Sequence, residues 1–210
     1  MTERRLLVAT RSVHKLRELR ELLDLDRTEL VSLDDLGIEG DPIENGETFE
    51  TNAAIKARFG LHASGLPTLA DDSGLEVDAL GGGPGVRSRR YAGEDATDAM
   101  NNAKLLDALY GLTAQGRSAR YVCVLALAMP DATGPRGGIR VITARGTCRG
   151  RMATEARGTG GFGYDPIFEP VSEPPGGRTL GLWTPAEKHT ISHRAGAAHR
   201  MSPRLAALSF

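Results

Sequence analysis

Leu6-Leu7-Val8-Ala9-Thr10-Arg11-Ser12-Val13-His14-Lys15-Leu16, continued by Leu19, Leu22 and Leu23, decides the fold class. The first four residues are an apolar run short enough for a strand. The leucines from position 16 onward recur at the helical spacing, on one face. A strand, a six-residue polar loop and a helix in immediate succession are the opening of an α/β chain. The loop itself carries two hydroxyls and three side chains that can bear positive charge. A helix N-terminus attracts phosphate, because its unbonded N–H groups and the helix dipole both face the anion. The glycines and the Gly-Lys-Ser/Thr ending of a Walker loop are absent. Taken alone, the same segment reads first as a helix cap with solvated Arg and Lys.

Outward from this unit, a second helix is predicted over about 48–62, with Phe49, Ala53 and Phe59 roughly on one side and Thr48 as its cap. Next comes Leu69-Ala70-Asp71-Asp72-Ser73-Gly74-Leu75, two adjacent carboxylates between apolar runs. Charges are rarely buried unless paired or bound to a metal. A strand tip ending in this way reads as a seat for a hard cation, or as a turn in which Asp and Ser bond their own backbone. Mg²⁺ suits the first reading, since it takes one or two carboxylates and leaves its other positions to water and phosphates. Residues 81–85 form a glycine loop too irregular for a nucleotide fingerprint. Asp95 is expected to cap a helix carrying Ala99, Leu105, Leu106 and Leu109. Residues 121–129 are almost continuously apolar, as in a strand buried on both faces. Residues 131–138 read as a turn-rich excursion, 139–147 as the partner strand of a hairpin. A last helix is expected through Ile191, Ala195 and Ala198.

The chain has 210 residues, is 40% hydrophobic and 25% charged, and carries a net charge of −1. That is ordinary for a globular protein and allows one mixed domain over 1–210, pinched into two lobes. Near-neutrality gives no global field to recruit nucleic acid or an anionic membrane, so a phosphate ligand needs a local cationic pocket. Cys123 and Cys148 lack metal-ligand spacing and read as buried thiols of a reducing compartment. With no signal-like start and no run near the ~20 apolar residues of a membrane span, a cytoplasmic location is expected.

Three further segments bear chemistry. Glu44 precedes the second helix and is either another acid for a metal-bound water or part of its capping region. Residues 160–165 pack three glycines around Phe162 and Tyr164, which reads as a loop approaching and stacking on a base, or as an aromatic turn. Residues 188–194 gather Lys188, His189, His193 and Arg194, a pattern that usually marks a solvated helix face.

In this order the segments resemble the inosine triphosphate pyrophosphatase family, the dITP/XTP pyrophosphatases. The matching stretches are 9–15, 44–53, Ala70-Asp71-Asp72-Ser73-Gly74-Leu75, Arg90-Tyr91-Ala92-Gly93-Glu94, 158–166 and Ile191-Ser192-His193-Arg194. The resemblance implies an elongated, two-lobed α/β fold with a central mixed sheet flanked by helices and the active site in the cleft. It implies hydrolysis of ITP, dITP and XTP to the monophosphate and pyrophosphate, with Mg²⁺, by a homodimer. It makes Asp72 the proton acceptor and a metal ligand, with Asp71 and Glu44 as further acids. Thr10, Arg11, Ser12, Val13, His14 and Lys15, with Lys56, would face the phosphates and Ser73 the substrate. Phe162, Gly163, Tyr164, Asp165, Lys188, His193 and Arg194 would hold base and sugar. Ser12 stands where the family usually has Asn, a longer side chain with two donors instead of one. A septum-formation-type nucleotide hydrolase and a non-catalytic nucleotide-binding regulator are the competing readings. Ser192-His193-Arg194 speaks against the first, and the Asp71, Asp72 and Glu44 acids against the second.

Overall fold

The computed structural model describes residues 4–23, 25, 28–131 and 138–208. In chain order they form β1 (Arg4–Val8), α1 (Val13–Leu23), β2 (Thr28–Ser32), α2 (Phe49–Ser64), β3 (Thr68–Val77), α3 (Asp98–Ala108), β4 (Ser118–Asp131), β5 (Gly138–Met152), β6 (Phe168–Pro170), α4 (Pro185–Ile191) and α5 (His193–Ala207). The strands lie in the order β2-β1-β3-β4-β5-β6. β1 is parallel to β2 and β3, while β5 and β6 are antiparallel, so the sheet is mixed and the class is α/β. The chain divides into two compact units, one of residues 1–72, 123–146 and 194–210, the other of 73–122 and 147–193.

The first unit is built on the opening strand–loop–helix. Leu19 and Leu23 of α1 are buried and Leu16 and Leu22 pack beside them, against Leu6, Val8, Leu69, Leu125 and Leu127. α2 begins one residue past Thr48, whose hydroxyl accepts from Thr51 N at 3.1 Å. Its buried face is Phe49, Asn52, Ala53, Ala57, Gly60 and Leu61, while Phe59 stays half-buried. Gly60 is required there: a Cβ would lie 2.6 Å from Thr68 Cγ2 and 3.0 Å from Leu7 Cδ2. α5 closes this core with Ala197, Ala198, Met201 and Leu205.

The second unit has its own core of Leu75, Val77, Leu105, Leu109, Tyr121, Met152, Tyr164, Ile167 and Phe168. Residues 121–129 of β4 are all buried, as a continuous apolar run requires, and β4 and β5 are neighbours in the sheet. The excursion expected over 131–138 lies largely outside the described residues. Two expectations change. α3 is capped by Thr97, which accepts from Met100 N at 3.2 Å, and not by Asp95. The last helix is two, because Ser192 is extended (φ −64°, ψ 148°) between α4 and α5.

Candidate functional site

Asp71 and Asp72 sit within β3 and not at its tip, as expected from sequence. The ladder continues through them because both charges are paired. Adjacent strand residues face opposite ways, and the two carboxylates accordingly meet different cations. Asp71 Oδ2 lies 3.1 Å from Lys15 Nζ and 3.1 Å from Arg194 Nη2, and Arg194 also grips Glu18. Asp72 Oδ1 lies 2.8 Å from Lys56 Nζ, which is 2.9 Å from Glu44 Oε2. Asp71, Asp72 and Arg194 are all buried.

These surroundings drive the two acids apart. Burial alone would raise the Asp71 carboxyl, but Lys15, Arg194 and Lys56 together hold it far below the usual carboxylate range. Asp72 moves the other way: burial raises it, and Lys56 offsets only part of that. Neighbouring titratable groups with divergent proton affinities mark an acid–base assignment. Here the fold favours the ionised form of Asp71 and raises the proton affinity of Asp72.

Asp72 Oδ2 is buried and has no hydrogen-bond partner among the described residues. A buried carboxylate oxygen left in this state calls for a donor or a cation. Among the described residues no group of three or more His, Cys, Asp or Glu gathers as a metal cage. Glu44 and Asp72 on either side of Lys56 do fit an ion that draws most of its ligands from water and phosphate. A metal there would share or displace the lysine ammonium.

The loop before α1 adds the anion side. Ser12 Oγ accepts from Lys15 N at 3.4 Å and Thr10 Oγ1 from Ser12 N at 3.2 Å, so both hydroxyls serve the cap. The first helical N–H groups, from Val13 onward, have no intrahelical acceptor. Arg11 turns away from this arrangement toward residues 34–41.

In the second unit the glycine loop is drawn onto one carboxylate. Asp165 accepts from Phe162 N at 2.9 Å, from Lys188 Nζ at 2.6 Å and from Tyr121 OH at 3.2 Å. Gly161 (φ +75°) must be glycine, since a Cβ would stand 2.1 Å from Asp165 Oδ2. Lys188 lies 4.6 Å above the Phe162 ring, and Tyr121 stacks on His193 at 4.8 Å. Gly163 is held by Asp98 and Asn102, and Tyr164 OH donates to Ser88 O at 2.7 Å. Ser73 follows the acid pair in β3 and is partly buried.

The structure thus gathers Lys15, Asp71 and Arg194, then Lys56, Glu44 and Asp72, and in the other unit Phe162, Asp165, Lys188 and His193. Lys188 and Arg194, which the sequence places together, keep separate company. The solvated helix face is overturned: Lys188, His193 and Arg194 are buried because acids and Tyr121 receive them. Sequence reasoning missed Glu18, Tyr121, Asn52 and Asn102. Glu18 had a signal, one helical turn beyond Lys15. Tyr121 was hidden in an apolar strand, with nothing to set its hydroxyl apart.

The Ham1 family profile matches residues 6–204. A protein of Syntrophobacter fumaroxidans named dITP/XTP pyrophosphatase is 46% identical over 192 residues, covering 91% of this chain and 78% of its own. One of the same name from Nocardia farcinica is 45% identical over 212 residues, covering 100% and 98%. The structure of a HAM1 protein from Coxiella burnetii is similar with a TM-score of 0.84 at 41% identity, covering 97% of this chain and 99% of that one. The family match spans the sequence, and relatives of this similarity share its fold: the chain belongs to the Ham1 family.

Proposed function

We propose that this chain hydrolyses deaminated purine nucleoside triphosphates, dITP, XTP and ITP, to the monophosphate and pyrophosphate. The observation that carries the reading is the buried Asp71–Asp72 pair, met separately by Lys15, beside the start of α1, and by Lys56. Family membership and the names of the relatives support it. Phosphoryl transfer depends mostly on positioning and on neutralising charge. Asp72 takes the proton of the attacking water at Oδ2, with Lys56 holding Oδ1. Lys15 and the α1 N-terminus receive the charge that builds on the departing pyrophosphate. Asp72 and Glu44 would hold Mg²⁺, which when bound would acidify a water and neutralise phosphate oxygens. Asp71 spends itself on Lys15 and Arg194 and keeps the field in place. Phosphate release from a panel of nucleoside triphosphates, with and without added inorganic pyrophosphatase, tests the reading. Phosphate that appears without the added enzyme would refute pyrophosphate as product.

Lys15→Ala removes a charge-assisted contact, typically about 1.5–3 kcal/mol. Activity is expected to fall about tenfold or more for every triphosphate alike. A changed base preference at unchanged efficiency would place Lys15 elsewhere.

Base choice falls to the second unit. The 6-oxygen of inosine and xanthosine is an acceptor where adenosine has a donor, and Lys188 only donates. A site built on such a bond rejects the wrong analogue by about 10⁴-fold. Phe162 adds stacking, which is indifferent to base identity. Lys188→Ala is expected to lower the ratio of kcat/KM for ITP over ATP. An unchanged ratio in a folded variant would assign selection to the loop backbone. Arg194→Ala would not be a clean companion test, since that guanidinium is buried on Asp71 and Glu18.

The remaining parts of the reading are a homodimer, a cytoplasmic location, and one domain over 1–210 with two lobes. The resemblance supports them, and light scattering tests the first. A net charge of −1 speaks against a nucleic-acid partner. No helix among the described residues is long and apolar enough to cross a membrane.

A further inference from the structure

Glu44 belongs to a long connection between β2 and α2 that has no regular element of its own. After a tight turn in which Gly37 N donates to Asp34 O and Ile38 N to Leu33 O, the chain runs irregularly to Thr48. Ile43 beside Glu44 is 83% exposed, so its side chain does not anchor this stretch. Two side chains do. At the near end Arg11 donates from Nε to both Asp41 oxygens (3.0 and 3.2 Å), from Nη1 to Asp34, and from Nη2 to Ile38 O (2.9 Å) and Gly40 O (2.7 Å). At the far end buried Asn52 accepts from Gly46 N at 2.8 Å and donates to Gly46 O at 3.2 Å. A Cβ on Gly46 would stand 2.6 Å from Asn52 Oδ1, so the grip requires glycine.

We propose that Arg11 is a positioning residue and not a phosphate ligand: it latches residues 34–41 to the loop before α1 and, with Asn52, sets where Glu44 stands beside Lys56 and Asp72. The inference rests on the reading of Glu44 as an acid of the hydrolytic site. A planar guanidinium suits this task, because its fixed fork meets two carboxylates and two carbonyls at once. Those donors are then not aimed at a triphosphate. Arg11 instead joins the phosphate-facing loop to the metal-facing one, and each is placed relative to the other.

Arg11→Ala, Asp41→Asn, their double variant and Arg11→Lys decide the matter. Amide exchange over residues 38–47 is read on the substrate-free protein. The half-saturating Mg²⁺ for XTP hydrolysis and the KM for XTP at saturating Mg²⁺ are read on the enzyme. Both single variants are expected to speed exchange and to raise the half-saturating Mg²⁺ by about fivefold or more, as loss of a local tether should. KM at saturating Mg²⁺ is expected to stay within about twofold, and the double variant to be no worse than the worse single, since both remove one interaction. Lysine keeps the charge without the fork and should not rescue. The proposal is overturned if Arg11→Ala raises KM about tenfold while Asp41→Asn leaves exchange unchanged, or if Arg11→Lys restores full activity. It is equally overturned if neither single variant alters exchange. Failure of the hydrolytic reading is distinguishable, because the parent would then release no pyrophosphate from XTP while the exchange comparison still tests the latch.

Discussion

Asp72→Asn is expected to lower kcat at least about 10²-fold, the low end for loss of a general base. The amide keeps the shape, and Lys56 retains Glu44 as a partner, so the thermal midpoint should change little. The pH profile makes the assignment specific. With Asp72 as the proposed base, activity needs it ionised, and burial lifts this carboxyl above its ordinary value of 3.8. As pH falls through that raised value the base is protonated and kcat/KM drops. The acid limb of the parent should therefore lie above the ordinary carboxylate range, and the residual activity of Asp72→Asn should lack it. A folded variant with near-normal turnover, or an unchanged acid limb, would remove Asp72 from the chemistry.

The neighbouring substitution should do the opposite. Asp71→Asn leaves Arg194, 1% exposed, without the carboxylate that lies 3.1 Å away. Breaking a buried pair from one side costs about 3–5 kcal/mol, an upper bound here because Arg194 keeps Glu18. At this size that is a fall in thermal midpoint of at most roughly 6–20 °C. The sign with pH follows from the lowered proton affinity of Asp71 in the fold. Its stabilisation is fully present above the unfolded-state value, near 3.9, and is lost progressively as pH falls toward the folded-state value. The gap between parent and Asp71→Asn should therefore be widest near neutrality and narrow below about pH 4. Equal midpoints at pH 7 would show that Arg194 does not depend on Asp71.

The contrast between these adjacent residues explains what the sequence could convey. Periodicity exposed the strand–loop–helix of β1 and α1, the apolar β4 and the cap at Thr48, because each depends on neighbours in the chain. The acid pair stood out because two charges inside an apolar run demand a reason. Which acid does what was not legible, since it depends on Lys15, Arg194 and Lys56 arriving on opposite faces of β3. The run at 188–194 misled for the same cause: cations read as solvated unless their acids are known, and Asp165 and Asp71 lie 23 and 123 positions away. Arg11 offered no local hint, its partners being 23 to 30 positions downstream.

The clasp of Arg194 on Asp71 and Glu18 has a consequence in time. It joins positions 123 and 176 apart along the chain, and contacts of such sequence separation are among the slow steps of folding. A chain still emerging from the ribosome, with β1, α1 and β3 already paired, has Lys15 but not Arg194 beside Asp71. Only the docking of α5 completes the charge balance that separates the two aspartates. Catalytic competence is in this sense a late milestone of folding, set by a helix near the end of the chain.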